Sequence, residues 1–128
     1  MKVKFSELIS TFCEMVDEAK KDYEWNTEEV KRLEKLTQDY LHKLELEPLT
    51  YSERAKLATQ MKECRILRRK SKDTVEVLSP FVDLIESERG VQMMNFMREV
   101  LGQTRKIERA MEIREYRYRV LQDPSIVT

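Results

Sequence analysis

Apolar side chains recur along the first half of the chain at alternating spacings of four and three. Phe5, Ile9, Phe12, Val16, Ala19, Tyr23, Val30, Leu33, Tyr40 and Leu44 follow this rhythm, and the polar Asn26 and Thr37 keep its register. That repeat keeps one face of a helix pointed at a partner helix. It predicts a first helix over about residues 4–46, continuous through Trp25-Asn26-Thr27 even though Asn26 or Thr27 could cap a new start, because a break would shift the seam. Pro48 ends the segment, and Thr50 with Glu53 has the spacing of a capping box. A second seam follows at Leu57, Met61, Cys64, Arg68, Ser71, Val75, Leu78, Val82 and Ile85, so a second helix is expected over about 51–86. Pro80 lacks a backbone donor, which predicts a kink or restart there with Ser79 as cap.

A third helix is expected over about 91–114, after Arg89-Gly90. Its Val91, Met93, Met94, Phe96, Met97, Val100, Leu101, Ile107 and Met111 form a stripe too wide for one neighbour. Such a helix needs cover from both other helices or from a second subunit. Beyond Met111, tyrosine and arginine alternate in Tyr116-Arg117-Tyr118-Arg119, so the tail of 115–128 reads equally as extended chain or helix. The few residues at Glu47–Leu49 force the first two helices to be antiparallel neighbours. Facing positions then sum to about 97, which sets Arg68 and Ser71 opposite the turn at Asn26 and Glu29. The expected fold is all-α: one domain made of a long antiparallel hairpin plus a third helix, completed by oligomerisation.

With 128 residues, 38% of them charged, two glycines and three prolines, the composition is that of long amphipathic helices. No apolar run is long enough to span a bilayer, and the first residues lack a secretory signal, so a cytosolic location without a membrane partner is expected. Cys13 and Cys64 are far apart, with no CxxC pair and no histidine cluster. They read as buried thiols, with no metal site and no cofactor. His42 is the sole histidine, and no GxSxG, HExxH or phosphate-loop element occurs, so the chain is expected to be non-catalytic.

Charge changes the picture more than its zero sum suggests. Residues 1–50 carry 8 basic and 12 acidic side chains, whereas residues 51–72 carry 8 and 2. Segment 73–104 has 2 basic and 6 acidic groups, and 105–119 has 6 and 3. Positive potential is therefore confined to two stretches. In the first, Arg65, Arg68, Arg69 and Lys72 fall at i, i+3, i+4 and i+7 and share a helix face. Arg68 sits in the seam itself, where a guanidinium needs a carboxylate such as Glu29, a bound anion or a route to water. In the second, Arg105, Lys106 and Arg109 precede Tyr116 and Arg119, and arginine with tyrosine suits phosphate and base recognition as well as protein interfaces.

The runs Thr37 through Leu46, Ala55-Lys56-Leu57-Ala58, Arg65 through Asp73, Glu76 through Phe81, Arg105 through Glu108 and Arg114 through Val120 resemble a group of short helical proteins of Firmicutes phages and prophages. The likeness covers roughly residues 35–120. It implies a viral accessory protein acting in a bacterial cytosol, and one such class consists of oligomeric sponges that sequester nucleotide messengers of host immunity. By that resemblance, Arg65, Arg68, Arg69, Lys72, Arg105, Lys106, Arg109, Tyr116 and Arg119 are carried over as the positions that hold a cyclic nucleotide or ADP-ribose-type ligand in a homo-oligomer. The expectation is that both basic stretches meet in one pocket. A protein–protein inhibitor of a host defence factor is the rival reading, and zero net charge with an acidic first helix disfavours nucleic acid.

Overall fold

A computed structural model describes residues 3–115 as three α-helices, with no strand among them: α1 Phe5–Leu46, α2 Tyr51–Glu86 and α3 Glu88–Ile113. Helix α1 is unbroken across Trp25-Asn26-Thr27, as the seam predicts. Asn26 donates its side-chain N–H to the Asp22 carbonyl and Thr27 its hydroxyl to the Tyr23 carbonyl, each at 2.7 Å. Both side chains bond one turn back along their own helix rather than capping a new one. The Thr50 hydroxyl caps α2 by accepting from the Glu53 N–H at 3.2 Å. The return bond from Glu53 that would complete the box is not formed among the described residues.

Of the kink or restart expected at Pro80 the restart does not occur, and the expected start of α3 is corrected. Helix α2 passes through Pro80 without restarting, and Ser79 caps nothing. A proline costs an interior helix about 3 kcal/mol, which the burial of Val82 and Ile85 on the following turn offsets. Helix α3 begins at Glu88 rather than after Gly90, because the Ser87 hydroxyl accepts from the Gly90 N–H at 3.1 Å and so serves as its N-cap. Ser87 alone links α2 to α3. At so tight a corner, a Cβ on Gly90 would lie 2.0 Å from the Leu84 carbonyl oxygen.

The seam joins α1 and α2 as antiparallel neighbours. Leu33 is buried from α1, and Leu57 and Cys64 from α2. The Cys64 thiol donates to the Leu33 carbonyl at 3.4 Å and lies 3.3 Å from the Thr37 hydroxyl. Both cysteines are buried and free. A second core fills the other end, where Ile9, Cys13 and Val16 of α1 meet Ile85 of α2 and Met94 and Leu101 of α3.

Antiparallel helices are related by a twofold axis perpendicular to the plane of the pair, so positions with the same offset from the seam share one side of the hairpin. Helix α3 lies on the side of the residues that follow seam positions. Arg98 approaches Asp17 at 3.9 Å, Arg105 donates to the Ser10 hydroxyl at 3.5 Å, and the Ser6 N–H donates to Glu108 at 3.2 Å, while Lys4 at the entry to α1 pairs with Glu112 at 2.6 Å. Among the described residues, the opposite side of the hairpin has no third helix.

The corner yields a paired expectation. Gly90→Ala should destabilise the fold by about 2–3 kcal/mol, since backbone rather than a pliable side chain blocks the methyl group. Gly102→Ala in the same helix, with nothing within 4 Å of its Cβ, should stabilise by about 0.5–1 kcal/mol. Urea midpoints of the two variants check both signs.

Candidate functional site

The first basic stretch lies on α2, on the α3 side of the hairpin but well along it. Arg65, Arg68, Arg69 and Lys72 share one face, as their spacing requires, and line a depression of about 290 Å³ with Asp73 and Glu76. Beside it, Ala58, Met61, Lys62, Arg65, Ile66, Arg69, Lys70 and Asp73 border an open groove of about 690 Å³. Its floor is apolar and its walls are cationic. A single helix supplies all of these residues, so the site is an open furrow between long side chains and not a closed pocket.

Arg68 finds a carboxylate, but not the expected one. Its guanidinium donates from Nη2 to Glu34 Oε1 at 2.7 Å and from Nε to the same oxygen at 3.2 Å. Side chains on a helix lean toward its N-terminus, and for antiparallel α2 that direction is toward the C-terminal half of α1. Arg68 therefore reaches up to Glu34 rather than down to the Asn26–Glu29 turn. Glu29 is engaged elsewhere: the hydrogen bond from Arg32, at 2.6 Å to Oε1, holds its carboxyl below the usual carboxylate range. Arg68 is thus a partnered, half-buried residue. Among the described residues Arg65, Arg69 and Lys72 form no ion pair, so their donors are open to an incoming anion.

The second basic stretch does a different job. Arg105 and Arg109 lie in a polar cleft of about 470 Å³ with Lys4, Ser6, Glu7, Glu108 and Glu112, where three carboxylates face three cations. Lys106 is exposed on the same helix. At the centre is Glu108, which the sequence reading passed over because it lies between basic residues. Helix α1 starts at Lys4 without a side-chain cap of its own. Glu108 supplies one from α3, accepting from the Ser6 N–H at 3.2 Å and from the Ser6 hydroxyl. These bonds, helped by Lys4 and Arg105, hold the Glu108 carboxyl below its ordinary range. The local charge is balanced, and the cluster's visible work is to fasten α3 to the start of α1.

The expectation that the two stretches build one pocket is corrected within a single chain. One is anchored beside Glu34 and the other beside Ser10, about 24 residues and hence roughly 36 Å apart along α1 at 1.5 Å per residue. Tyr116 and Arg119 lie outside the described residues. The groove also takes in Lys62, Lys70 and Ile66, which the sequence did not single out, and Met61, expected there only as a seam residue; Lys62 and Ile66 lie one turn before Arg65 and Arg69. Among the described residues no cluster of three or more His, Cys, Asp or Glu side chains could hold a metal ion. No helix among them is long and apolar enough to cross a membrane. No family model, no curated protein and no solved structure matches the chain.

The cap has a pH signature. A carboxyl whose folded pKa is depressed stabilises the fold above its unfolded value of about 4.3, and that contribution is lost as pH falls through the lower folded value. Stability should therefore decline below about pH 4.3 in a component that Glu108→Gln removes. Urea midpoints measured across the acid range for both proteins check this, and a variant with an unchanged acid limb would remove Glu108 from the account.

Proposed function

We propose that this chain is a non-catalytic binding protein whose α2 furrow takes an acidic, amphipathic segment of a protein partner. The observation that carries this reading is the pairing of open cations at Arg65, Arg69 and Lys72 with an apolar floor at Ala58, Met61 and Ile66 on one exposed helix face. A partner helix laid along the furrow would bury Met61 and Ile66 and set its own carboxylates against the flanking guanidinium groups. Helix-in-groove recognition works in this way, with apolar anchors for affinity and charge for register. In a phage accessory protein, as the sequence resemblance implies, such a partner would be a host defence factor.

The furrow also keeps the nucleotide-trap reading alive as a second proposal. Three cations without an ion pair among the described residues suit the phosphates of a cyclic nucleotide or ADP-ribose compound, and arginine binds phosphate through paired hydrogen bonds. One chain offers those phosphates no enclosure, however, and small-ligand sites usually bury most of the ligand. This reading therefore requires another copy to roof the furrow.

Two measurements separate the readings. A photo-crosslinking residue at Ile66 should capture one stoichiometric partner from host lysate, and Arg65→Glu with Arg69→Glu should abolish the capture while leaving helicity unchanged. Calorimetry against cyclic dinucleotides and ADP-ribose should then give no heat. Tight nucleotide binding that Arg65→Ala weakens at least about tenfold, a loss of about 1.4 kcal/mol, would reverse the order of the two readings.

A further inference from the structure

The side of the hairpin opposite α3 is apolar over its N-terminal third. There the residues that immediately precede buried or half-buried seam positions are Leu8 before Ile9, Met15 before Val16, Val77 before Leu78 and Leu84 before Ile85. Phe5 lies one turn below Leu8, and Trp25, before Asn26, lies farther along the same side, level with Ser71–Lys72 of α2 by the pairing of Leu33 with Cys64. All six remain open: Phe5 61%, Leu8 55%, Met15 49%, Trp25 63%, Val77 77% and Leu84 55%. Half-buried Phe12 and Phe81 pack against the core cluster of Ile9, Cys13, Val16 and Ile85. From Phe5 to Met15 and from Val77 to Leu84, the positions offset this way carry no charge.

We infer that this face is covered by the same face of a second copy, giving a symmetric dimer with a four-helix core and the two α3 helices on the outside. Three features select a second copy over an unrelated partner. The first is area. The six exposed residues present roughly 650 Å² of surface, taking about 150–250 Å² for each side chain of this size when fully open, which approaches the about 800 Å² per partner of a stable interface. The second is chemistry: between Phe5 and Met15 and between Val77 and Leu84 the patch carries no charge, with Glu18 and Asp22 entering only toward Trp25 at its edge. An uncharged centre resembles a domain core cut in half, the mark of permanent self-association, whereas transient sites are more polar. The third is geometry. A twofold contact needs only one self-complementary patch, and two antiparallel hairpins stacked face to face form an ordinary four-helix bundle. The dimer leaves the α2 furrow accessible, since Arg65, Arg69 and Lys72 follow their seam positions and so lie on the other side. The inference therefore stands independently of the proposed function.

Sedimentation of the full chain at micromolar concentration should show a dimer. Val77→Lys with Leu84→Glu, both at exposed positions, should weaken association at least about a hundredfold, as expected for charges placed in a dry interface centre, with the helical signal retained. Phe96→Glu, on the outer face of α3, should leave the dimer intact. As a check independent of those variants, single cysteines at Leu8, Met15 and Leu84 should include at least one that crosslinks to its own copy with a short bismaleimide, whereas Phe96→Cys should not. A monomer at these concentrations overturns the inference. So does a dimer that ignores the α2 substitutions, or one that dissociates on Phe96→Glu.

Discussion

Two long helices that touch along one seam can bury only one stripe each, and this shortage of buried surface governs the molecule. The α1–α2 hairpin gains Leu33, Leu57 and Cys64 from its seam, yet much of the apolar surface of both helices faces outward. Each burial event beyond the seam needs a third body. Helix α3 is that body for one side of the N-terminal third, where it covers Ile9, Cys13 and Val16 with Met94 and Leu101. Its position rests on polar contacts as well as apolar ones, since Glu108 completes the first turn of α1 and Lys4 meets Glu112. A helix end without a cap leaves backbone donors unsatisfied, so the docking of α3 and the start of α1 support one another.

The same geometry sorts charge from apolar surface. Positions after the seam carry the α3 contacts and the cationic furrow, while positions before it carry the uncharged patch. A chain with no net charge thereby presents two unlike surfaces on opposite sides. The two basic stretches, alike in sequence, also diverge in role. Arg105 and Arg109 sit among carboxylates that hold the molecule together, whereas Arg65, Arg69 and Lys72 stand beside an apolar furrow with their donors open.

Much of this was legible in the residues. The seam gave the continuity of α1, the antiparallel pairing and both long helices, because an unbroken repeat leaves few ways to bury its apolar positions. The pairing of Arg68 with Glu34 was not legible from register alone, since register locates Cα atoms and a long side chain travels most of a turn from its own. The start of α3 at Glu88 was missed because Gly90 reads as a breaker, when its real task is to let two helix ends approach closely. Convergence of the basic stretches within one chain failed for a plainer reason: helical faces follow from sequence spacing, but position along a rod follows from which elements pack together. Glu108 was hidden because its value arises from a partner 102 residues away.

That separation bears on how the protein is made. Ser6 and Glu108 lie near opposite ends of the described residues, so the bond between them closes a loop across 102 residues of sequence, the entropically slowest kind of contact to form. During synthesis the opening turn of α1 must wait, uncapped, until α3 has left the ribosome. The hairpin can zip beforehand from its Pro48 turn, but the start of α1 stays provisional until α3 has docked.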